Sequence, residues 1–560
     1  MKLKKLIEVI PNFNLNKEVE DIEVEKIFCD LNEFEKELKE EKLNVNNILY
    51  ILRDKKFVFK NNVKKTIIKP KEEIFEELKE ILKQKIKNII IPKEIFNDEN
   101  FGKLFNEIID FNKTNIIATE DIIKAEWGIS SIFFSYPSAD LKVIGIYGDE
   151  KGRLIAHFIK SIYEESSVPV YYIDERKEQI KGSYDFQKIL YLCAKNGYKA
   201  VIVNTSAVSL KYDMYAGTSF ESSIFGDISE EKEYYEDNFE NLNEYLNAAL
   251  KLFMYSEYNI INNDDYASDF VKGIKDKFYT YGVVNKSTYN ATDVNIRALD
   301  TNYLIIANKK VERISLAMYG MDAVYASLAA ITYALNSGLN LNFVKEALKT
   351  YAMPYQREML QNDLELQILL DETTDAKKID EILKEAKKLV TGRTVVLVSR
   401  DGLDIYDELP VKIDNYKTLS KEELRKKIKE ELKIKQEKIK QENKEEIKKE
   451  QEKRKELGRI LSKHADIGII TTGNSKFENQ NQIIKEIESG VNKKKTKIFK
   501  YLKREDGIIS ALYNIQKRDL VAIFGIGEKS VNIKGKEELI DQKEIINGYL
   551  EENKEDILLR

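Results

Sequence analysis

The sequence predicts an α/β protein of several domains built mainly on parallel sheets. Three observations carry this. The chain has 560 residues, too many for one hydrophobic core. From Leu141 onward short β-branched runs alternate with amphipathic helical patterns, the signature of strands joined by crossover helices. A glycine-bearing turn, residues 143–154, joins an apolar strand to a helix.

Taken in order, residues 1–130 read as a small α/β domain, with β-rich stretches at 47–52, 56–59 and 88–91 and charged helical patterns such as 71–85. Ser135-Tyr136-Pro137-Ser138 reads as a linker. A second domain, 131–350, alternates strand 141–146, helix 154–164, strand 169–173, helix 185–196 and strand 200–204. Strands at 259–262 and 303–308 follow, and a small-residue helix at 321–337 closes the unit. A third domain, 351–560, has strands at 366–370, 394–399, 466–471, 496–501 and 520–524. It is interrupted at 420–457 by a stretch dominated by Lys and Glu, opened by a capping box of Ser420 and Glu423 and free of Pro or Gly until Gly458. Leu424, Ile428, Leu432, Ile439 and Ile447 make too thin a stripe for a coiled coil. The expectation is a solvated helix held by charge pairs, or an arm that projects toward a partner.

Composition narrows the function. A formal net charge of −5 leaves no basic footprint for nucleic acid. Only Cys29 and Cys193 occur, too few for a disulfide framework, and no Cys or His cluster has metal-ligand spacing, so no metal site is expected. With His157 and His464 alone, a histidine base has few places to stand, and His157, on the helix after the turn, reads as structural. No apolar run reaches the length of a membrane span or a secretory signal, which points to a soluble cytoplasmic protein.

The turn itself, Val143-Ile144-Gly145-Ile146-Tyr147-Gly148-Asp149-Glu150-Lys151-Gly152-Arg153-Leu154, stands where a phosphate-binding loop belongs. Such a loop ends Gly-Lys-Thr or Gly-Lys-Ser, its Lys reaching the outer phosphates and its hydroxyl holding Mg²⁺. Here Lys151 and Gly152 are in swapped order, and Arg153 and Leu154 replace the hydroxyls. Asp149 and Glu150 add two anions at the tip. Unit charges about 5 Å apart at an effective dielectric near 20 repel by roughly 3 kcal/mol, a large part of the ~8 kcal/mol behind micromolar binding. Gly145, Gly148, Lys151, Gly152 and Arg153 are therefore a vestigial phosphate loop, and nucleotide binding there is expected to be weak or absent.

Further along, Tyr136 to Gly145 resembles the approach to the ATP loop in the Mur ligases of peptidoglycan synthesis, most of all the MurE type, which adds the third stem amino acid to UDP-MurNAc-dipeptide. Val203-Asn204-Thr205-Ser206-Ala207-Val208-Ser209 is similar to the family's Glu-Val-Ser-Ser-His-Ala-Leu, with Val203 for the magnesium-binding Glu and Ala207 for the His. Phe220 to Asp227 resembles Phe-Asp-Val-Ala-Val-Phe-Thr-Asn, and Glu231 to Tyr234 stands for Asp-His-Leu-Asp. Ala249 takes the place of a carbamoylated Lys, and Ile260 to Asp265 matches a strand-end signature. Gly320 to Ala330 resembles Gly-Arg-Phe-Asn-Val-Tyr-Asn-Leu-Leu-Ala-Ala with Ala323 and Ala326 for the two Asn, and Arg357-Glu358 lies near the family's Gly-Arg-x-Glu. In the last domain Asp371 to Thr374 stands for Asp-Tyr-Ala-His. Thr471 to Lys476 replaces the Thr-Ser-Asp-Asn-Pro-Arg that selects diaminopimelate, keeping Asn474, and Phe524 to Lys529 replaces Gly-Lys-Gly-His-Glu.

The resemblance implies the three-domain Mur ligase architecture, with an ATPase-like central domain and a Rossmann-like C-terminal domain. It also implies a family chemistry that needs ATP, metal and an attacking amine. The residues for each are missing together, so the leading expectation is a catalytically inactive MurE-like protein with no catalytic residues and no cofactor. It would bind a UDP-MurNAc-peptide or a cell-wall synthesis protein. A second reading is an active, divergent ligase using ATP and Mg, in which Lys151 or Arg153 contacts phosphate and Glu231 and Asp264 hold the metal. A third is a structural adaptor working through the 420–457 arm.

Overall fold

The computed structural model describes residues 1–559 except 20–21, 41–42, 61–62, 109–112, 149, 179, 227–237, 266–276, 298–300, 308, 352–356, 361, 404, 407–433, 436, 440, 514, 527–528 and 534–535. It divides into two compact units. The first comprises Met1–Thr292, Leu304–Glu312 and Tyr325–Leu348; the second comprises Asp293–Tyr303, Arg313–Val324 and Lys349–Arg560.

The first unit holds two sheets. The N-terminal sheet runs in the order Phe13–Leu15, Asn115–Thr119, Asn88–Pro92, Ile48–Ile51, Lys26–Phe28, its first strand antiparallel and the others parallel. Ile48–Ile51 is buried along its whole length, as a strand covered on both faces must be. The Lys71–Lys83 helix has Pro70 as its cap residue and Glu72 and Glu73 in its first turn, where the helix dipole favours anions. Ile74, Phe75, Leu78, Ile81 and Leu82 form its buried stripe. Between these elements the chain makes a hairpin, Lys55–Lys60 with Val63–Ile68. The Ile122–Phe133 helix, capped by Asp121 accepting from Lys124 N, carries the half-buried Trp127 and packs against the Ser183–Lys195 helix.

The central sheet has seven strands, all paired in parallel, in the order Tyr289–Asn290, Phe278–Gly282, Ser256–Asn262, Phe220–Phe225, Lys142–Tyr147, Ala200–Thr205, Val170–Asp174. After Lys142–Tyr147 the chain builds two strands on one side, then crosses to lay Phe220–Phe225 on the other. That reversal opens a crevice at the carboxyl ends, where open α/β sheets bind ligands. The helix expected from Leu154 begins earlier, spanning Glu150–Glu165, so Lys151, Gly152 and Arg153 form its first turn rather than a loop.

The second unit is built on a six-stranded sheet in the order Arg357–Met359, Gln367–Asp371, Leu520–Phe524, Thr394–Val398, Ile467–Ile470, Lys497–Lys500, antiparallel only at the first pair. Successive residues of its inner strands enter two separate cores. Val396 and Ile470 lie in one, Val395 and Ile469 in the other, so helices cover both faces. The fold is thus mixed α/β with a large parallel sheet, as the sequence predicts.

The charged stretch departs from expectation. Residues 420–433 lie outside the described residues, but Lys444–His464 does not project as an arm: Lys444, Glu445, Lys448, Lys449 and Glu452 stay exposed while its other face is buried. It packs against Ala376–Ala386 and Gln480–Ser489, burying Arg454, Leu457, Gly458 and Leu461. Upstream, Ile439 is buried with Leu403 and Tyr406. The physical reason is pairing: Arg454, 1% exposed, is held by carboxylates of the Gln480–Ser489 region, so its charge can be buried.

Candidate functional site

The site expected from sequence lies at the carboxyl end of Lys142–Tyr147. Gly145 is not part of the turn. It sits inside the strand opposite Val203 and Ser223. A β-carbon there would lie 2.7 Å from Leu252 Cδ1 and 3.0 Å from Phe220 Cδ1, so this glycine admits the Leu242–Tyr255 helix close to the sheet. Gly148, at φ +131°, makes the turn in a backbone region that disfavours a side chain.

The carbonyls that line the turn are already occupied. Tyr147 O accepts from Gly226 N at 2.8 Å, and Ile146 O accepts from Thr205 Oγ1 at 3.1 Å. With its amide oriented to satisfy both ends, Asn204 Nδ2 donates to Ile146 O at 3.3 Å and Gly148 O at 3.2 Å. Gly152, in the helix first turn, is wedged between these groups. Its β-carbon would lie 3.1 Å from the Asn204 side-chain amide, and a β-carbon on Gly226 would lie 3.1 Å from Gly152 N. Lys151 and Arg153 are half-buried in the same turn. Asp149 and the Glu150 side chain fall outside the described residues.

Behind the turn the space is aromatic. The Tyr147 and Phe225 rings stack at 5.1 Å, Phe225 and Phe253 at 4.1 Å, and Tyr147 Oη donates to Tyr245 Oη at 2.7 Å in a buried contact. Ala249, fully buried, completes the same cluster.

Val203, which the resemblance sets in place of a metal-holding Glu, has its side chain in the central core with Val143 and Val201. Its neighbour Asn204 points its amide at the turn. Ala207 opens the Ala207–Lys211 helix and is buried.

Asp264, offered as a metal ligand in the active-ligase reading, is committed elsewhere. Its Oδ2 accepts from Val283 N at 2.6 Å, Val284 N at 3.0 Å and Tyr325 Oη at 2.9 Å, and its Oδ1 from Asn285 N at 2.7 Å. Partial burial pushes its carboxyl up, but these donors outweigh that and hold it below the usual range. Tyr325 moves the opposite way, raised by burial and by Asp264. Asp264 therefore anchors the 283–285 turn. Asp264→Ala is expected to cost about 2–3 kcal/mol, and the thermal midpoint of the unmodified protein is expected to be the same with and without Mg²⁺. A midpoint raised by magnesium would restore the metal role. Glu231 and Asp227 lie outside the described residues, and no group of three or more His, Cys, Asp or Glu among those described could hold a metal ion.

In the second unit the expected positions gather at the carboxyl edge of its own sheet. Thr373 N donates to Asp371 Oδ1 at 2.7 Å, and Asn474 N donates to Asp401 Oδ1 at 2.7 Å. Glu358 pairs with Lys543 at 2.6 Å, while Gly527 and Glu528 lie outside the described residues. Two residues there escape sequence reasoning. Arg400 forks onto Glu450 at 2.7 and 3.1 Å and donates to Thr374 O at 3.0 Å. Among the described residues Arg504, 3% exposed, donates to neutral acceptors, Thr471 Oγ1 at 3.0 Å, Phe524 O at 2.9 Å and Gln542 Oε1 at 2.8 and 3.1 Å. Burial brings the Arg504 guanidinium down to about 9, with Asp401 pulling the other way. A lone Arg in a helix first turn reads in sequence as a solvated charge, and no local signal marks it as buried.

Among the described residues no helix is long and apolar enough to cross a membrane. Residues 153–334 match the family described as the Mur ligase middle domain. Over 461 residues the chain is 25% identical to the UDP-N-acetylmuramoyl-L-alanyl-D-glutamate--2,6-diaminopimelate ligase of Caldanaerobacter subterraneus subsp. tengcongensis, covering 80% of this chain and 86% of that protein. It is also 25% identical over 454 residues to the ligase of that name, numbered 1, from Clostridium acetobutylicum, covering 78% and 84%. A solved structure of a ligase of the same name aligns with a TM-score of 0.57 at 15% identity over 83% of this chain and 92% of that one. MurF from Acinetobacter baumannii aligns at 0.54 and 11% identity over 98% of each chain. The structural likenesses are likenesses of fold.

Proposed function

We propose, from the premise that this chain belongs to the Mur ligase family and is MurE-like, that it is a catalytically inactive homologue acting as a binding or regulatory protein in peptidoglycan precursor synthesis. One observation carries the reading. At the phosphate-loop position the helix first turn is pressed against Asn204 and Gly226, and Arg153 and Leu154 stand where such a loop carries its metal-holding hydroxyl. A triphosphate needs free backbone N–H groups, a lysine and a metal-holding hydroxyl in that space. The residues present do not fit ATP and Mg²⁺. The ligand kept by such a protein is a UDP-MurNAc-peptide or a cell-wall synthesis protein.

Calorimetric titration with MgATP and, in parallel, with UDP-MurNAc-dipeptide tests this. Millimolar MgATP is expected to give no binding heat and no change in thermal midpoint, since a ligand that binds the native state must raise it. ATP-dependent production of a UDP-MurNAc-tripeptide would overturn the reading in favour of a divergent ligase. Heat from the UDP-sugar peptide alone would identify the retained ligand.

A further inference from the structure

Lys64 lies on the Val63–Ile68 strand of the N-terminal hairpin, and its side chain is 0% exposed. Its ammonium reaches polar groups far from that hairpin in sequence. Its Nζ lies 2.7 Å from Ser209 Oγ, 3.1 Å from Glu175 Oε1 and 3.3 Å from Met214 Sδ, and the ring of Phe57 lies 5.7 Å away. Three acceptors match the three donors of an ammonium, with an aromatic face beside it. Tyr215 Oη donates to Glu175 Oε1 at 2.5 Å, and Ser209 donates to the same oxygen. The carboxylate is thus set in place by groups other than the lysine.

The position of this cluster matters. Glu175 follows the strand Val170–Asp174, and Ser209 lies on the short helix that follows Ala200–Thr205. These two strands are neighbours in the parallel central sheet, and the cluster sits beyond their carboxyl ends. The hairpin backbone is fixed to the same region. Thr66 N donates to Asn238 Oδ1 at 2.9 Å, and Asn238 Nδ2 donates to Lys64 O at 3.0 Å, as one residue of a pairing strand would.

We propose that the central sheet carries a primary-ammonium pocket, walled by Glu175, Ser209, Met214 and Tyr215, which Lys64 fills as an internal occupant. Seated there, Lys64 latches the hairpin over the carboxyl edge of Val170–Asp174 and Ala200–Thr205. Burial pulls the Lys64 amine down, and Glu175 opposes this.

The test is chemical rescue. Lys64→Ala removes a propylammonium-sized fragment, and the thermal midpoint is expected to fall by about 10 °C. Propylammonium chloride should restore roughly half of that, whereas NaCl at equal ionic strength should not. Amide hydrogen exchange should speed up along Lys55–Ile68 and stay unchanged in Lys444–His464. An unchanged midpoint, or equal recovery with NaCl, would overturn the pocket. If Lys64→Ala yields no folded protein, the pair Lys64→Met with Glu175→Gln decides. Faster hairpin exchange supports the latch; exchange at the rate of the unmodified protein overturns it.

Discussion

Arg454→Ala is expected to destabilise the second unit by about 3–5 kcal/mol, a fall in its thermal midpoint of roughly 10 °C. The guanidinium forks onto Glu478 at 2.6 and 2.8 Å, reaches Glu486 at 2.8 Å and the Asp401 carbonyl at 3.1 Å, and lies 3.3 Å from Glu450. All three carboxylates have side chains no more than 11% exposed. Removing the one cation they share leaves buried charge uncompensated, which costs far more than the pair contributes when intact. Arg454→Lys keeps the charge but cannot fork, and should fall between. Differential scanning calorimetry reads this directly, and a shift of less than about 2 °C would mean the network is dispensable.

The same network gives a pH signature. Burial alone would raise the Glu450 carboxyl, but Arg400 and Arg454 outweigh it and hold it below the usual range. A carboxyl depressed in the folded state contributes stability that is fully present above its unfolded value, about 4.3. That stability is lost as pH falls through the lower folded value. Acid unfolding of the second unit should therefore steepen below about pH 4.3.

The second large effect is expected from Gly490→Ala. The helices Lys444–His464 and Gln480–Ser489 touch backbone to backbone where Gly458 meets Gly490. A β-carbon on Gly490 would lie 1.8 Å from Lys455 O, and one on Gly458 would lie 2.1 Å from Ile487 O. Neither obstacle is a flexible side chain, so a whole helix must shift, at a cost of about 3 kcal/mol or more. The displacement would also carry Arg454 away from Glu478 and Glu486. Combining Gly490→Ala with Arg454→Ala should therefore cost less than the sum of the two. Strict additivity in urea unfolding would show that the glycine contact and the ion network are independent.

Much of the architecture was legible because parallel strands buried on both faces leave continuous apolar runs. Those at 88–91, 200–204 and 520–524 agree with the strands to within one residue. Phe220–Phe225 was visible only as a motif, since Ser222 and Ser223 break its apolar run; both are fully buried, and Ser223 Oγ donates to Asn259 Oδ1 at 2.5 Å. The strand Val63–Ile68 was not among the expected β-rich stretches, since Lys64 and Lys65 break its apolar run. The groups named around the Lys64 ammonium at Glu175, Ser209 and Met214 lie 111 to 150 residues away, beyond any local pattern. At the turn, the order Lys151-Gly152 and the residues Arg153 and Leu154 after it were plain in the sequence. The aromatic packing behind it and the role of Asn204 were not, because which strand face points at the crevice is fixed only once the sheet is assembled. The Asp264–Tyr325 contact spans 61 residues and was hidden for the same reason.

Trp127 is the only tryptophan of the chain, and it rides on the Ile122–Phe133 helix of the first unit. A β-carbon on Gly217 would come within 3.2 Å of its ring, so the indole is packed against the loop before Phe220–Phe225. Its fluorescence therefore watches one unit alone, whereas far-ultraviolet ellipticity averages over both. A melt followed by the two signals together would report, without any added label, which unit comes apart first.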